Sequence, residues 1–226
     1  MKPAIQLERL TPRQRVALEY LQREGVSDSV AVDLYQRLLA EPGASVLECL
    51  CGMVPVKAWG AEQWRQRIHL MAGPFGFGKT TTALRFALRH WAELSNFTYM
   101  EAPDKAAMEL ALAATREARA VFIDVPGLDR NGNLAHWRAD MGLDTVEAAT
   151  HLTLSLFFDA LQTQAFLQRY KFEGPGSLVW TKLDEAVSFG NIVNVACAAG
   201  LPVSALSFGA ELKESLAPAT EPLVWR

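Results

Sequence analysis

The sequence predicts an α/β fold: a mostly parallel sheet with helices on both faces, preceded by a small helical unit. Three observations carry this. The apolar run 68–72 leads into a glycine-rich loop and then into a helical pattern. From there to residue 206, short apolar runs alternate with helical ones. Upstream of residue 60, helical patterns follow one another with no strand between them. Strands and helices that alternate along a chain pack as a parallel sheet covered on both sides.

In chain order, residues 13–24 carry Val16, Leu18, Tyr20 and Leu21 at a spacing that suits an amphipathic helix. Gly25 stops it and Ser27 starts the next, which buries Val30, Val32, Leu34, Leu38 and Leu39. Glu41-Pro42-Gly43 breaks the pattern. A third helix over 45–54 is apolar nearly all round and reads as sandwiched. After strand 68–72, the helix opening at Thr80 runs to about Leu94, and 97–100 reads as a short strand. An alanine-rich helix over 104–119 follows, with Pro103 near its first turn. Residues 120–123 form a buried strand, 150–158 another, 159–170 a helix and 177–180 a strand. Helix 191–199 stops at Gly200, and 203–206 is the last strand. The tail 217–226 reads as irregular. The expected units are 1–62, helical, and 63–226, the nucleotide-binding α/β part. The helical unit also reads as an extension with no separate role.

The 226 residues suffice for one sizeable α/β domain plus a small addition. Half the residues are hydrophobic, which excludes a disordered chain, and a net charge of −3 gives no reason to expect nucleic acid. No run of 18 apolar residues is present to span a membrane, and the polar start reads as no signal peptide. Cys49, Cys51 and Cys197 form neither a zinc pair nor a redox motif, and an odd count argues against a disulfide framework. The four histidines are scattered, with no visible metal cluster.

The loop is Gly73-Pro74-Phe75-Gly76-Phe77-Gly78-Lys79-Thr80. It matches G-x-x-x-x-G-K-[ST] with a strand before it and a helix after it, the context that makes a P-loop. Glycines let the backbone turn its N–H groups inward, and the helix N-terminus adds its dipole, so the loop cradles phosphates. Lys79 is expected on the β- and γ-phosphates and Thr80 on Mg²⁺, with Thr81 beside it.

Two further strand ends carry chemistry. Asp124-Val125-Pro126-Gly127 places a carboxylate where a Walker-B aspartate holds Mg²⁺, and the Gly127 N–H where it can meet a γ-phosphate. The same four residues are also an ordinary turn. Thr181-Lys182-Leu183-Asp184 follows the strand that ends at Trp180. The Asp184 carboxylate can accept guanine N1–H and N2–H₂ as a pair, which adenine cannot offer, while the Lys182 stem lies across the base. Each short motif is weak alone; their order, each at a strand end, makes the set specific.

On these motifs the chain resembles the signal-recognition-particle (SRP) type GTPases, and their flagellar branch most closely. The resemblance covers about residues 13–215. The family P-loop reads here as 73–82, with Arg85 where a Lys is usual, and Asp-Thr-Ala-Gly becomes 124–127. Thr181-Lys182-Leu183-Asp184-Glu185, Ser188-Phe189-Gly190-Asn191-Ile192 and Gly200-Leu201-Pro202-Val203-Ser204 are very similar. The turn at Phe208-Gly209, after Ser207, stands where the last guanine-contacting loop lies.

The resemblance implies an NG domain that binds GTP with Mg²⁺ and acts in flagellar placement or protein targeting. It implies a cytoplasmic protein with peripheral contact at the inner face of the cell membrane. A second copy or a related GTPase or ATPase would be its partner. The family's Asp-Thr-x-Arg motif and the Gln-bearing helix after it find no match, as if a βα unit were deleted. Leu128 stands where an arginine is usual, and Phe75 and Phe77 are bulky for their places. Catalytic residues are therefore unassigned. Slow or partner-dependent hydrolysis is expected, with Asp129, Arg130 or Arg138 as substitutes in cis. A pseudo-GTPase that serves as a scaffold is the alternative. An ATP-using enzyme is opposed by Asp184, whose carboxylate would face the adenine N1 lone pair.

Overall fold

The computed structural model describes residues 5–60, 64–90, 98–209, 211 and 215–225. Three helices come first: α1 (Pro12–Arg23), α2 (Asp28–Ala40) and α3 (Val46–Met53). Each begins where a side-chain oxygen accepts an otherwise orphaned backbone N–H, from Thr11, Ser27 and Ser45 respectively. Thr11 with Gln14, and Ser45 with Glu48, complete reciprocal capping boxes. The α2 face is as expected at Val30, Leu34 and Leu38, joined by Ala31 and Tyr35, while Val32 and Leu39 are half-buried. The α1 face is only partly so: Leu18 is buried and Leu21 half-buried, but Val16 and Tyr20 are exposed, and Gln14 is buried instead. The Gln14 amide satisfies itself by donating to the carbonyls of Ala44 (2.9 Å) and Pro42 (3.4 Å), so a polar residue replaces apolar ones at that seam. In α3, Leu47 is exposed, so the helix is covered on one side rather than sandwiched.

The α/β part runs β1 (Ile68–Ala72), α4 (Lys79–His90), α5 (Lys105–Ala114), β2 (Val121–Asp124), α6 (Leu134–Asp140), β3 (Ala148–Ser155), α7 (Ala160–Arg169), β4 (Gly176–Thr181), α8 (Gly190–Ala199), β5 (Val203–Ser207), β6 (Leu216–Pro218) and α9 (Glu221–Val224). The strands form one sheet in the order β2-β1-β3-β4-β5-β6. All neighbours are parallel except β5 and β6. A mostly parallel sheet with helices is what the alternation predicts. The chain leaves β1 toward β2 and returns to β3 on its other side, and such a reversal opens a crevice at the carboxyl ends of the strands.

Several expectations shift. Residues 98–100 are not strand, and Phe97 lies outside the described residues, as does Leu94. The helix expected over 104–119 ends at Ala114, where the Thr115 hydroxyl donates to the Ala111 carbonyl and competes with the helical ladder. Strand β2 is half-buried rather than buried because it lies at the sheet edge. The tail is not wholly irregular: β6 pairs antiparallel with β5, and α9 follows. Helix α6, capped by Asn133, was not expected in so polar a stretch.

One sheet face meets the N-terminal helices, α7 and α8 through a core that includes Leu34, Leu70, Leu152, Trp180 and Val195. The other face is covered by Trp59, Trp64, Ala83 and Phe86. Trp59 stacks on Phe86 at 3.9 Å, and its backbone N–H donates to the Ser204 carbonyl at 2.8 Å, so the segment joining helices to sheet is itself seated on the sheet.

Candidate nucleotide-binding site

The three motif-bearing loops meet at the carboxyl edge. The P-loop leaves β1 at Ala72 and becomes α4 at Lys79. Gly76 and Gly78 have φ of 77° and 73°, the left-handed region that costs glycine least, and they turn the loop inward. Lys79 is buried, and its ammonium donates to the Pro74 carbonyl at 2.7 Å. Burial lowers the Lys79 pKa, and the nearby Asp124 charge partly offsets this. The Thr80 hydroxyl donates to the Asp124 carboxylate. Those two oxygens, neither shielded from solvent, are hard donors side by side, which suits Mg²⁺. Thr81 is half-buried on the same helical turn.

The outer side of the loop is held from β4 and α7. The Thr181 hydroxyl lies 3.0 Å from the Phe77 carbonyl and 3.1 Å from that of Leu154, binding P-loop, β3 and β4 together. The Phe77 ring stacks on Phe158 at 4.7 Å, and Phe166 and Tyr170 continue the row. Phe77 thus fills a wall, which explains its bulk. Phe75 is exposed instead, with its ring against Gly127.

Tyr170 was not picked out in the sequence. It is fully buried at the end of α7; its hydroxyl donates to the Gly73 carbonyl (2.9 Å) and accepts from the Leu128 N–H (2.9 Å). It clips the start of the P-loop to the residue after Gly127. Desolvation raises its pKa, so the hydroxyl stays protonated. A lone Tyr after a helix carries no local signal for such a role.

At the third strand end, Lys182 has φ 55°, the left-handed region that side chains seldom adopt. This kink aims the exposed Asp184 at the loop after β5, where its Oδ1 accepts the Gly209 N–H at 2.8 Å. That bond orients the carboxylate, which remains exposed at the strand end. Ser207 is buried, and its hydroxyl accepts from Arg85. Arg85 also donates to the carbonyls of Gly209 (2.9 Å) and Glu211 (2.7 Å). Burial lowers its pKa and the Asp184 charge opposes this. Arg85 stands out in the sequence only as a departure; that it joins α4 to the loop after β5, through Ser207 among others, emerges in three dimensions.

The substitutes named for catalysis fare unequally. Arg138 donates to the carbonyls of Leu143 (3.0 Å) and Val146 (3.2 Å), and Asp129 accepts the Asn131 N–H at 2.9 Å; both are engaged in holding their own loops. Arg130 is exposed on the same loop. No helix among the described residues is long and apolar enough to cross a membrane.

No family model matches the chain. It is 24% identical to the flagellar biosynthesis protein FlhF of Pseudomonas aeruginosa, covering 93% of this chain and 57% of that protein. With FlhF of Campylobacter jejuni it shares 21% identity over 67% of this chain and 37% of that one. It therefore spans less than two thirds of either curated relative. Among solved structures, FlhF complexed with GTP and Mg²⁺ superposes with a TM-score of 0.74 at 19% identity, covering 93% of this chain and 96% of that one. The cell division protein FtsY of Thermotoga maritima superposes at 0.65 and 16% identity, covering 96% and 90%. The likeness carried by the strand-end motifs thus holds in sequence and in fold, and this chain is similar to the NG domain of the SRP-type GTPases, FlhF among them.

Proposed function

We propose that this chain binds a guanine nucleotide with Mg²⁺ and turns over GTP slowly unless a partner helps. The observation that carries the reading is the meeting of Lys79, Thr80 and Asp124, beyond β1 and β2, with Thr181, Asp184 and Gly209, at and beyond the ends of β4 and β5. The P-loop amides and Lys79 would hold the phosphates, and Thr80 with Asp124 would hold the metal. Bound Mg²⁺ supplies charge neutralisation on the phosphate oxygens. Asp184 would read the base, and its bond to Gly209 holds it ready. These groups bind substrate and transition state almost alike, and uniform binding does not raise kcat. Acceleration needs a further cation and a positioned water; an arginine supplied for this purpose is worth about 10³–10⁵ in rate. Arg138 is engaged elsewhere, so slow turnover is the expectation.

On this reading residues 1–62 act as the N part and 63–226 as the G part of a flagellar or targeting GTPase, working with a second copy or a related NTPase at the inner membrane face. A nucleotide-regulated scaffold is the second reading, favoured by the loss of Arg138 and Asp129 to loop holding. The test is titration of a fluorescent guanine diphosphate with Mg²⁺, in wild type and Lys79→Ala, beside single-turnover GTP hydrolysis. Binding should vanish in the variant while its melting curve stays near that of wild type. Equal affinity in both overturns the reading. A hydrolysis rate near 1 s⁻¹ without a partner, far above the ~10⁻⁴–10⁻² s⁻¹ of unassisted GTPases of this chemistry, overturns slow turnover.

A further inference from the structure

We infer that Phe75 occupies the γ-phosphate position and makes this a site that prefers guanosine diphosphate over the triphosphate. The inference rests on the guanine-nucleotide reading above. A γ-phosphate at a P-loop has two natural partners here, the Lys79 ammonium and the Gly127 N–H. The Phe75 ring lies close to both residues. It lies on Gly127 so closely that a Cβ built there would collide with its Cγ, Cδ2 and Cε2 atoms. The Lys79 Nζ is 5.5 Å from the ring centroid, within reach of a cation–π attraction. A phosphoryl oxygen needs about 3 Å to each of those nitrogens, and a ring packed on Gly127 competes with it for that place.

Electrostatics act in the same direction. The face of an aromatic ring is negative, so a phosphate beside it is repelled where a cation is attracted. No comparable crowding exists at the two other loop glycines: around Gly76 a Cβ would meet nothing within 4 Å, and at Gly78 the nearest atom is a Thr181 methyl at 3.9 Å. The crowding is thus at Gly127, the expected partner of a third phosphate. To admit a triphosphate the ring must leave Gly127 and Lys79. It is 74% exposed, so that movement meets solvent and not the core, but it forfeits both contacts.

The experiment compares GDP with the non-hydrolysable GMPPNP by isothermal titration, each with Mg²⁺, in wild type and Phe75→Ala, with melting curves for both proteins. Wild type should bind GDP at least tenfold more tightly than GMPPNP. In Phe75→Ala the ratio of the two Kd values should fall below threefold. Phe75→Leu, which keeps apolar bulk but loses the ring face, should lie between them. Equal Kd values in wild type, or a ratio that survives Phe75→Ala in a folded protein, overturn the inference and leave the nucleotide reading standing. Failure of wild type to bind either nucleotide overturns both.

Discussion

At the scale of single residues, the site is specified by groups whose partners are already in place. Asp184 shows this. Its Oδ1 holds the Gly209 N–H at 2.8 Å, which fixes the carboxylate plane before any base arrives. Exchange of that carboxylate for an amide sets a donor against the guanine donors. Asp184→Asn should weaken GDP by about 2–3 kcal/mol, the order of a lost charge-assisted pair. It should gain xanthosine diphosphate, whose C2 carbonyl accepts from the new amide. Competition against a fluorescent nucleotide reads both. If ADP displaces the probe from wild type as well as GDP does, the base assignment is wrong.

At the scale of elements, close backbone approach joins the helical unit to the α/β part. Gly190 opens α8, and its N–H donates to the Glu24 carbonyl at 2.9 Å. A Cβ there would collide with that carbonyl and with the Gly25 and Val26 backbone, which cannot yield as a flexible side chain would. Next to it, Asn194 accepts the Ser27 N–H (2.8 Å) and donates to the Gly25 carbonyl (2.8 Å). Gly190→Ala must push α8 off the α1–α2 turn and should cost about 1–3 kcal/mol, as overpacking does. Chemical denaturation checks it; a midpoint equal to wild type would mean that the seam tolerates displacement. The same seam gives Ser188-Phe189-Gly190-Asn191 a structural purpose, whereas the sequence offered it only as a point of likeness.

At the scale of the whole molecule, a buried polar chain crosses the sheet under the tryptophans. His69 Nδ1 lies 3.2 Å from His151 Nε2, His151 Nδ1 2.7 Å from the Ser177 hydroxyl, and that hydroxyl 2.6 Å from Ser204. It ties β1, β3, β4 and β5 together. Burial pushes the His151 pKa well below its ordinary 6.5, and the His69 and Lys57 charges push the same way. A depressed pKa means that the unfolded chain binds more protons below about 6.5. The stabilisation is therefore complete above that pH and declines as pH falls toward the depressed value, with a slope of up to ~1.4 kcal/mol per pH unit for one proton. Stability should drop between pH 6.5 and 5, and His151→Gln should flatten that part of the profile. Denaturation midpoints across this range decide it, and an unchanged slope in the variant would show that His151 is not responsible.

The sequence by itself determined the parallel α/β architecture, the N-terminal helices and three of the loops that form the site. Those features are local: a glycine loop between a strand and a helix, cap residues such as Ser27, and Thr-Lys-x-Asp after a buried run all depend on near neighbours. Only the tertiary structure decided which distant groups meet. Tyr170 clips Gly73 to Leu128, and Arg85 joins α4 to the Gly209 loop across more than 120 residues. The β5–β6 pairing turned an apparently loose tail into sheet edge. On α1, Gln14 joins Leu18 at the buried seam because two carbonyls lie opposite it. Phe75 could be seen in the sequence as bulky, but its position on Gly127 beside Lys79 depends on how two loops approach one another, and periodicity carries no record of that.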